Sequence, residues 1–111
     1  MNDLLQPRES LETLAETLKL LSDKTRLTIV ALLKEREMCV CDIVDILETT
    51  QPNISQHLKK LKTGGIVKET RRSQWIYYSL ATDVKPYLNE LLNQLPSMKE
   101  KIDAHEPNSC C

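Results

Sequence analysis

The chain of 111 residues is long enough for one domain with a modest core and short for two. Its 28% charged residues, 4% aromatic residues and two glycines are typical of a helix-rich protein. No apolar run approaches the roughly 18 residues that a membrane span needs. The N-terminus has neither the basic region nor the apolar core of a signal peptide. We therefore expect a cytoplasmic protein with no membrane partner.

The formal net charge of −1 is unusual for a protein that binds nucleic acid, but the charge is unevenly distributed. Residues 51–80 contain six basic residues and one acidic residue, a net +5, so the remainder carries −6. A basic face on an acidic protein can still bind phosphates, because the local field matters more than the total charge. A solvated helix face would explain the lysines at 59–62, but it would not explain the second basic group at Arg71 and Arg72.

Two helices are predicted before the first cysteine. Leucines at helical spacing predict a helix over residues 9–21, which ends at Ser22 and Asp23. Asp23 is suited to cap a second helix over residues 24–34. Because this second helix is apolar on most sides, we expect it to be buried in the core.

Residues 38–65 read as two helices joined by a tight turn. Thr50 is suited to cap the second helix, which ends at Gly64 and Gly65. Amides and hydroxyls near a helix N-terminus can read base edges in a major groove, and lysines further along can contact phosphates. This pattern predicts a helix-turn-helix whose DNA-binding residues in the second helix are Gln51, Asn53, Ser55, Gln56, His57, Lys59 and Lys60.

A β-hairpin with a basic tip is predicted directly after this motif. Residues 66–70 and 75–80 are rich in β-branched and aromatic side chains, and Arg71 and Arg72 lie between them. A hairpin after a recognition helix is the wing of a winged helix-turn-helix, with both arginines suited to backbone or minor-groove contact. We expect Trp75 to pack in the wing base or core, with a DNA or partner contact as the alternative. The predicted fold class is therefore mainly α with a small β-hairpin.

The last predicted helix runs from residue 84 to 95, with Asp83 as its cap and Pro96 at its end. The first and last helices carry more leucine surface than one small core can cover. We expect them to form a homodimer, which matches a pseudo-palindromic operator. The alternative is that both helices close the core of the monomer.

The domain is expected to cover residues 1–103, followed by a flexible tail over 104–111. The polar segment from Ser97 onwards is expected to be at least partly disordered. The tail ends in Cys110 and Cys111.

The four cysteines form two close pairs, Cys39 with Cys41 and Cys110 with Cys111. In a reducing compartment such pairs indicate metal ligands or sensor thiols rather than disulfides. Thiolates prefer soft, thiophilic ions over magnesium or calcium. Two cysteines one residue apart at a helix start can place both sulfurs on one ion, and the helix N-terminus favours the thiolate. All four are candidate metal ligands, although the terminal pair could be adventitious.

The order of elements, with Cys39-Val40-Cys41-Asp42 opening the helix-turn-helix, resembles the ArsR/SmtB family of metal-responsive bacterial repressors. The resemblance covers roughly residues 14–95 and includes the segments LSDKTRL at residue 21 and SQHLK at residue 55. It implies a dimer, not an enzyme, that binds double-stranded operator DNA and leaves it when a metal or metalloid binds. The CVCD element looks like that of the arsenite/antimonite sensors and of the cadmium/lead sensors. We expect As(III) or Sb(III) as inducer and no organic cofactor.

The sequence departs from that family at two places. Many arsenite sensors carry a third cysteine where this chain has Val44, so a third sulfur would have to come from Cys110 or Cys111. From Asp103 the tail can span at most about 30 Å, at roughly 3.3–3.6 Å per residue. The Asp and His ligands of the family's zinc and nickel sensors are not matched here, because the residue two positions after Asp83 is Lys85 rather than a histidine. His57 is expected to form a hydrogen bond or face DNA rather than bind metal.

Three alternatives remain at this stage. A cadmium or lead sensor would use four thiolates or a mixed set. A thiol redox switch would release DNA on oxidation without any metal. An enzyme with a Cys-x-Cys redox site is weakly supported, because no cofactor motif accompanies the cysteines.

Overall fold

A computed structural model describes residues 10–81 and 87–105. In chain order these residues form α1 (Leu11–Leu21), α2 (Lys24–Glu35), β1 (Met38–Cys39), α3 (Val40–Leu47), α4 (Gln51–Thr63), β2 (Val67–Arg72), β3 (Trp75–Leu80), α5 (Leu88–Leu92) and α6 (Lys99–Asp103). One hydrophobic core takes buried side chains from all six of these helices. None of the helices in the described ranges is both long and apolar enough to cross a membrane.

The first two helices follow the sequence prediction, with local caps that explain where they begin. The Oγ atom of Ser10 accepts a hydrogen bond from the Thr13 backbone N–H at 3.1 Å. The Asp23 carboxylate accepts one from the Arg26 backbone N–H at 3.0 Å. Each bond satisfies a backbone donor that the helix start leaves without an intrahelical partner. The expected burial of α2 is confirmed by five consecutive buried residues, Ile29, Val30, Ala31, Leu32 and Leu33.

The predicted helix-turn-helix is confirmed. Helix α3 ends at Leu47, and its C-cap residue Glu48 adopts a left-handed conformation (φ 52°). Thr50 then caps α4 by accepting a hydrogen bond from the Asn53 backbone N–H at 3.3 Å. The inner face of α4 is fully buried against the core through Ile54, Leu58 and Leu61.

The wing is also confirmed, and a third strand joins it. Strands β2 and β3 pair antiparallel, with Arg72 opposite Trp75 across a two-residue turn. Ser73 in this turn has a positive φ of 59°. The two-residue strand β1, which the sequence did not predict, pairs with β3 so that Cys39 lies opposite Tyr77. The sheet order is β1-β3-β2, so the cysteine segment is joined directly to the wing.

The C-terminal part differs from the prediction in two respects. Within the described residues the last predicted helix is represented by α5, while residues 82–86, including Asp83, lie outside the description. The segment after Ser97, expected to be partly disordered, contains helix α6 with Ile102 buried in the core. Cys110 and Cys111 also lie outside the described residues.

Candidate nucleic-acid interface and thiol site

The outer face of α4 presents polar and basic side chains to solvent. The exposed predicted DNA-binding residues of this helix are Gln51, Ser55, Gln56, Lys59 and Lys60. Asn53 is half-buried because its side-chain amide donates to Thr49 Oγ1 at 3.1 Å. The accessible amides and hydroxyl lie near the helix N-terminus and the lysines further along, which is the arrangement expected for a helix in a major groove.

His57 points away from this exposed face. Only 16% of its side chain is exposed, and its Nδ1 lies 3.2 Å from Arg26 Nη1 and 4.0 Å from Asp23 Oδ2. Because arginine carries no acceptor, the guanidinium donates and Nδ1 accepts. Arg26 Nε also donates to the Leu20 carbonyl at 2.7 Å. Of the two roles expected for His57, this geometry favours a structural hydrogen bond between α4 and the α1–α2 junction.

A second contact brings α4 close to the end of α1. Gly64, which follows α4, is so close to Leu20 that an added Cβ would lie 2.3 Å from Leu20 Cδ1. The pKa of the nearby Asp23 is lowered, mainly by the backbone N–H of Arg26 that it accepts and also by the Arg26 charge. The recognition helix thus contacts the α1–α2 junction at its middle, through Arg26, and α1 at its end, through Leu20.

The two arginines of the wing have different surroundings. Arg71 is exposed. Arg72 forms a two-pronged ion pair with the Glu37 carboxylate, in which Nη2 lies 3.1 Å from Oε2. Its guanidinium carbon also lies 5.0 Å from the centre of the Tyr77 ring. Arg72 is also exposed, so both arginines remain candidates for a DNA contact, while Arg72 also ties the wing to the segment before Cys39.

A charged cluster at the wing base joins α4 to the sheet. Glu69 accepts from Lys62 Nζ at 2.6 Å and from the Tyr78 hydroxyl at 2.8 Å. These hydrogen bonds lower the pKa of Glu69, with that from Lys62 contributing most. Partial burial, followed by the bond to Glu69, raises the pKa of Tyr78 to about 12. Trp75 is half-buried and pairs with Arg72 beside the two-residue turn, so it lies at the tip of the wing and not in the wing base or core, where packing was expected.

The first cysteine pair lies where β1 passes into α3. Cys39 is the N-cap residue of α3 and is buried, and its Sγ lies 3.8 Å from Sγ of the partly buried Cys41. Two sulfurs bound to one tetrahedral ion by bonds of about 2.3 Å are roughly 3.8 Å apart. The spacing of this pair therefore fits a single soft ion.

Two further side chains adjoin this pair. Asp42 Oδ2 lies 3.5 Å from Cys39 Sγ, and Asp42 Oδ1 lies 3.2 Å from His105 Nε2. Asp42 belongs to the CVCD segment, but no sequence pattern indicates its contact with His105, 63 residues later. Across residues 10–81 and 87–105, no group of three or more His, Cys, Asp or Glu side chains is arranged to hold a metal ion. These ranges thus supply two sulfurs, and any third donor comes from elsewhere.

A recognition helix with an exposed polar face, followed by a three-stranded wing, defines a winged helix-turn-helix DNA-binding protein. The sequence profile described as "Bacterial regulatory protein, arsR family" matches residues 23–69. The chain belongs to this family, and it is a DNA-binding transcriptional regulator rather than an enzyme.

Two curated relatives carry names that refer to arsenic. The arsenic resistance transcriptional regulator ArsR1 of Pseudomonas putida is 40% identical over 79% of this chain and 65% of its own length. The arsenical resistance operon repressor of Escherichia coli is 35% identical over 78% of this chain and 75% of its own length.

A solved structure with similar architecture is the homodimeric winged helix-turn-helix domain Mb0332 of Mycobacterium bovis, described as a possible ArsR-family regulator. It has a TM-score of 0.68 and 26% identity, and the match covers 93% of this chain and 99% of that one. The predicted fold class is therefore confirmed.

Proposed function

We propose that the protein is a homodimeric repressor that leaves operator DNA when As(III) or Sb(III) binds to Cys39, Cys41 and a tail cysteine, Cys110 or Cys111. The observation that carries the proposal is that the Cys39 and Cys41 sulfurs lie 3.8 Å apart at the start of α3, close enough for one ion to bind both. The names of the P. putida and E. coli relatives support an arsenic-type inducer. The repressor would act on double-stranded operator DNA in the cytoplasm.

A dimer is supported by the apolar surface of α1. Leu11 is 84% exposed and Leu18 is 54% exposed, although both belong to a stripe whose other end, Leu21, is buried. Leu88 and Leu92 of α5 are buried in the core of the same chain. Among the described residues, α1 therefore offers more apolar surface to a second copy than α5 does. In such a dimer the two recognition helices would enter successive major grooves, about 34–36 Å apart.

The position of the thiol pair supports coupling to DNA binding. Helix α3 packs against the recognition helix through a shared core that includes Ile43, Ile46 and Ile54. Cys39 also belongs to β1, which pairs with wing strand β3. An ion bound to both sulfurs would therefore act on α3, which supports the recognition helix, and on β1, which pairs with the wing. The free energy available to release the operator cannot exceed the difference between the ion's binding free energies for the DNA-free and DNA-bound conformations of the protein.

The first test is an operator-release assay. A fluorescent duplex selected by the protein from a random pool is bound in reduced, anaerobic buffer and titrated with arsenite while anisotropy is recorded. We expect wild type to be released, and we expect Cys39→Ser and Cys41→Ser to bind the duplex normally but stay bound. Arsenite release of the double variant would contradict the assignment of these two ligands.

A matched variant tests the tail. We expect Cys110→Ser/Cys111→Ser to bind the duplex like wild type and to need more arsenite for release. Equal release would limit the ligand set to the first pair. Anaerobic conditions also separate this mechanism from a redox switch, which would respond to an oxidant in the absence of arsenite.

Cadmium or lead sensing is the second candidate. The 3.8 Å sulfur separation is also suited to a tetrahedral ion, and the chain has four cysteines for such a site. Repeating the titration with cadmium decides between the two. Release by cadmium without release by arsenite would select this candidate.

A further inference from the structure

An open groove of about 810 Å³ lies between α1 and α4, beside the exposed face of the recognition helix. Side chains of α1 form one wall, and side chains of α4 form the other. The walls are close together at one end, where a Cβ added to Gly64 would lie 2.3 Å from Leu20 Cδ1. Arg26, which also lines the groove, bonds the Leu20 carbonyl and His57. The groove is therefore a feature of the packed helices and not a gap between loops.

Basic side chains from both walls line this groove. Lys19 in the last turn of α1 and Lys59 and Lys60 of α4 are all exposed. Among the described residues that line the groove, Glu16 is the only acidic one. In the part of the chain that the structure describes, none of these three lysines forms an ion pair. The groove therefore carries a net positive charge and is suited to an anionic partner.

The position of the groove favours the sugar-phosphate backbone of DNA as that partner. An α-helix with its side chains is about 10–12 Å across and the major groove is about 12 Å wide, so a helix that enters it has a phosphate backbone along each flank. Gln56, Lys59 and Lys60 belong to the exposed face of α4 and also line the groove. A duplex bound to that face would thus carry one of its backbones along the groove.

We propose that the groove between α1 and α4 takes one phosphate backbone of the operator, and that Lys19 is a DNA contact outside the helix-turn-helix and the wing. This inference deepens the proposed function, and it rests on operator binding through α4 but not on the thiol site. A lysine binds phosphate as a point charge. The contact therefore adds affinity and fixes the position of α4 on the duplex without reading bases.

Helix α1 can contact DNA and a second copy of the chain at the same time. Glu16, Lys19 and Leu20 are three and four positions apart, so they share one side of the helix. The exposed leucines Leu11 and Leu18 are seven positions apart and share another side. Because each residue turns about 100° around the helix, Leu20 and Leu18 lie on nearly opposite sides. A phosphate contact by Lys19 therefore leaves the apolar surface proposed for the dimer available.

The test measures the operator affinity of the full-length protein against salt concentration, by anisotropy of the selected duplex. Each phosphate contact adds roughly 0.9 to the steepness of log K against log salt, so between about 50 and 200 mM KCl it accounts for about a 3.5-fold loss of affinity. We expect Lys19→Ala to bind on the order of tenfold more weakly at the lower salt concentration and to lose affinity less steeply as salt rises. A scrambled duplex should be weakened by the same factor, because a phosphate contact carries no sequence information.

Two further variants separate this contact from a general loss of structure. Glu16→Gln removes the acidic side chain of the groove and is expected to tighten binding of both duplexes, which a damaged fold would not do. Lys34→Ala alters an exposed lysine near the end of α2, away from the groove, and is expected to behave like wild type. Sedimentation equilibrium checks that each variant keeps the oligomeric state of wild type.

The outcomes distinguish this inference from the proposed function. An unchanged salt dependence in Lys19→Ala, with or without weaker binding, would overturn the DNA contact of the groove. A shallower salt dependence that Lys34→Ala does not share would support it. Arsenite is then added to both operator complexes. If arsenite releases neither wild type nor Lys19→Ala, the thiol mechanism is wrong and the groove contact stands.

Discussion

Two regions of the molecule differ in how far their candidate functional side chains are exposed to solvent. The reading surface consists of exposed side chains on α4 and the wing: Gln51, Ser55, Gln56, Lys59, Lys60 and Arg71. The sensor corner consists of Cys39, Cys41, Asp42 and His105, which are buried or partly buried where β1, α3 and the end of α6 meet. A change on the reading surface can alter DNA binding without altering the fold. A change in the sensor corner acts on packed elements, which is how ligand binding there would reach the DNA-binding face.

The largest expected effect comes from a change beneath both regions. Leu58 is fully buried on the inner face of α4, in the same core as α3. Leu58→Ala should lower the free energy of unfolding by about 2–5 kcal/mol, because it removes buried methyl groups and leaves a cavity. Urea denaturation followed by circular dichroism measures this change. Thr63→Ala, at an exposed position on the same helix, is the control and should stay within about 0.5 kcal/mol of wild type.

The next prediction separates the reading surface from the fold. Lys59→Ala/Lys60→Ala should weaken operator binding on the order of a hundredfold and make its salt dependence shallower, because fewer counterions are released. Stability, and the protection that arsenite gives Cys39 and Cys41 against alkylation, should stay as in wild type. Anisotropy titrations at several salt concentrations check this, with Lys99→Ala on α6 as the control. An unchanged salt dependence would remove these lysines from the DNA contact.

The sequence predicts the reading surface better than the sensor corner, because the first depends on local patterns and the second on contacts between distant residues. Local patterns predicted the helices and caps that carry the reading surface, including Thr50 before α4. Strand β1 could not be predicted because two residues are too few to show a periodic pattern, and its partner β3 lies about forty positions further along the chain. Helix α6 could not be predicted from local sequence because its stability depends on the hydrogen bond to Glu35 and on the burial of Ile102. The thiol pair was visible as a motif, whereas the contact between Asp42 and His105 exists only in the folded chain.

A smaller effect is expected from the network that sets the angle of α4. Arg26→Met removes the bonds to the Leu20 carbonyl and to His57, and should cost about 1–3 kcal/mol of stability because buried acceptors lose their donors. Operator affinity should also fall, since α4 loses its contact with the α1–α2 junction. Denaturation and anisotropy measure the two effects, and Arg36→Met at an exposed position is the control. Loss of stability with full operator affinity would mean that this network does not orient the recognition helix.

The smallest expected effect concerns the wing base, which is part of neither the reading surface nor the sensor corner. The pKa of Tyr78 is raised from 10.0 to about 12, mainly by partial burial and then by its bond to Glu69. A raised folded-state pKa means that the unfolded chain ionises first, so this contribution is complete below pH 10 and is lost as the pH rises towards 12. Since the phenol is only partly buried, solvent screens the interaction and the loss should be below about 1 kcal/mol. Denaturation at pH 9 and pH 11 measures it as the difference between wild type and Tyr78→Phe, which cancels the titration of lysines. Glu69→Gln should lower the midpoint of the Tyr78 absorbance titration, and an unchanged midpoint would assign the shift to burial alone.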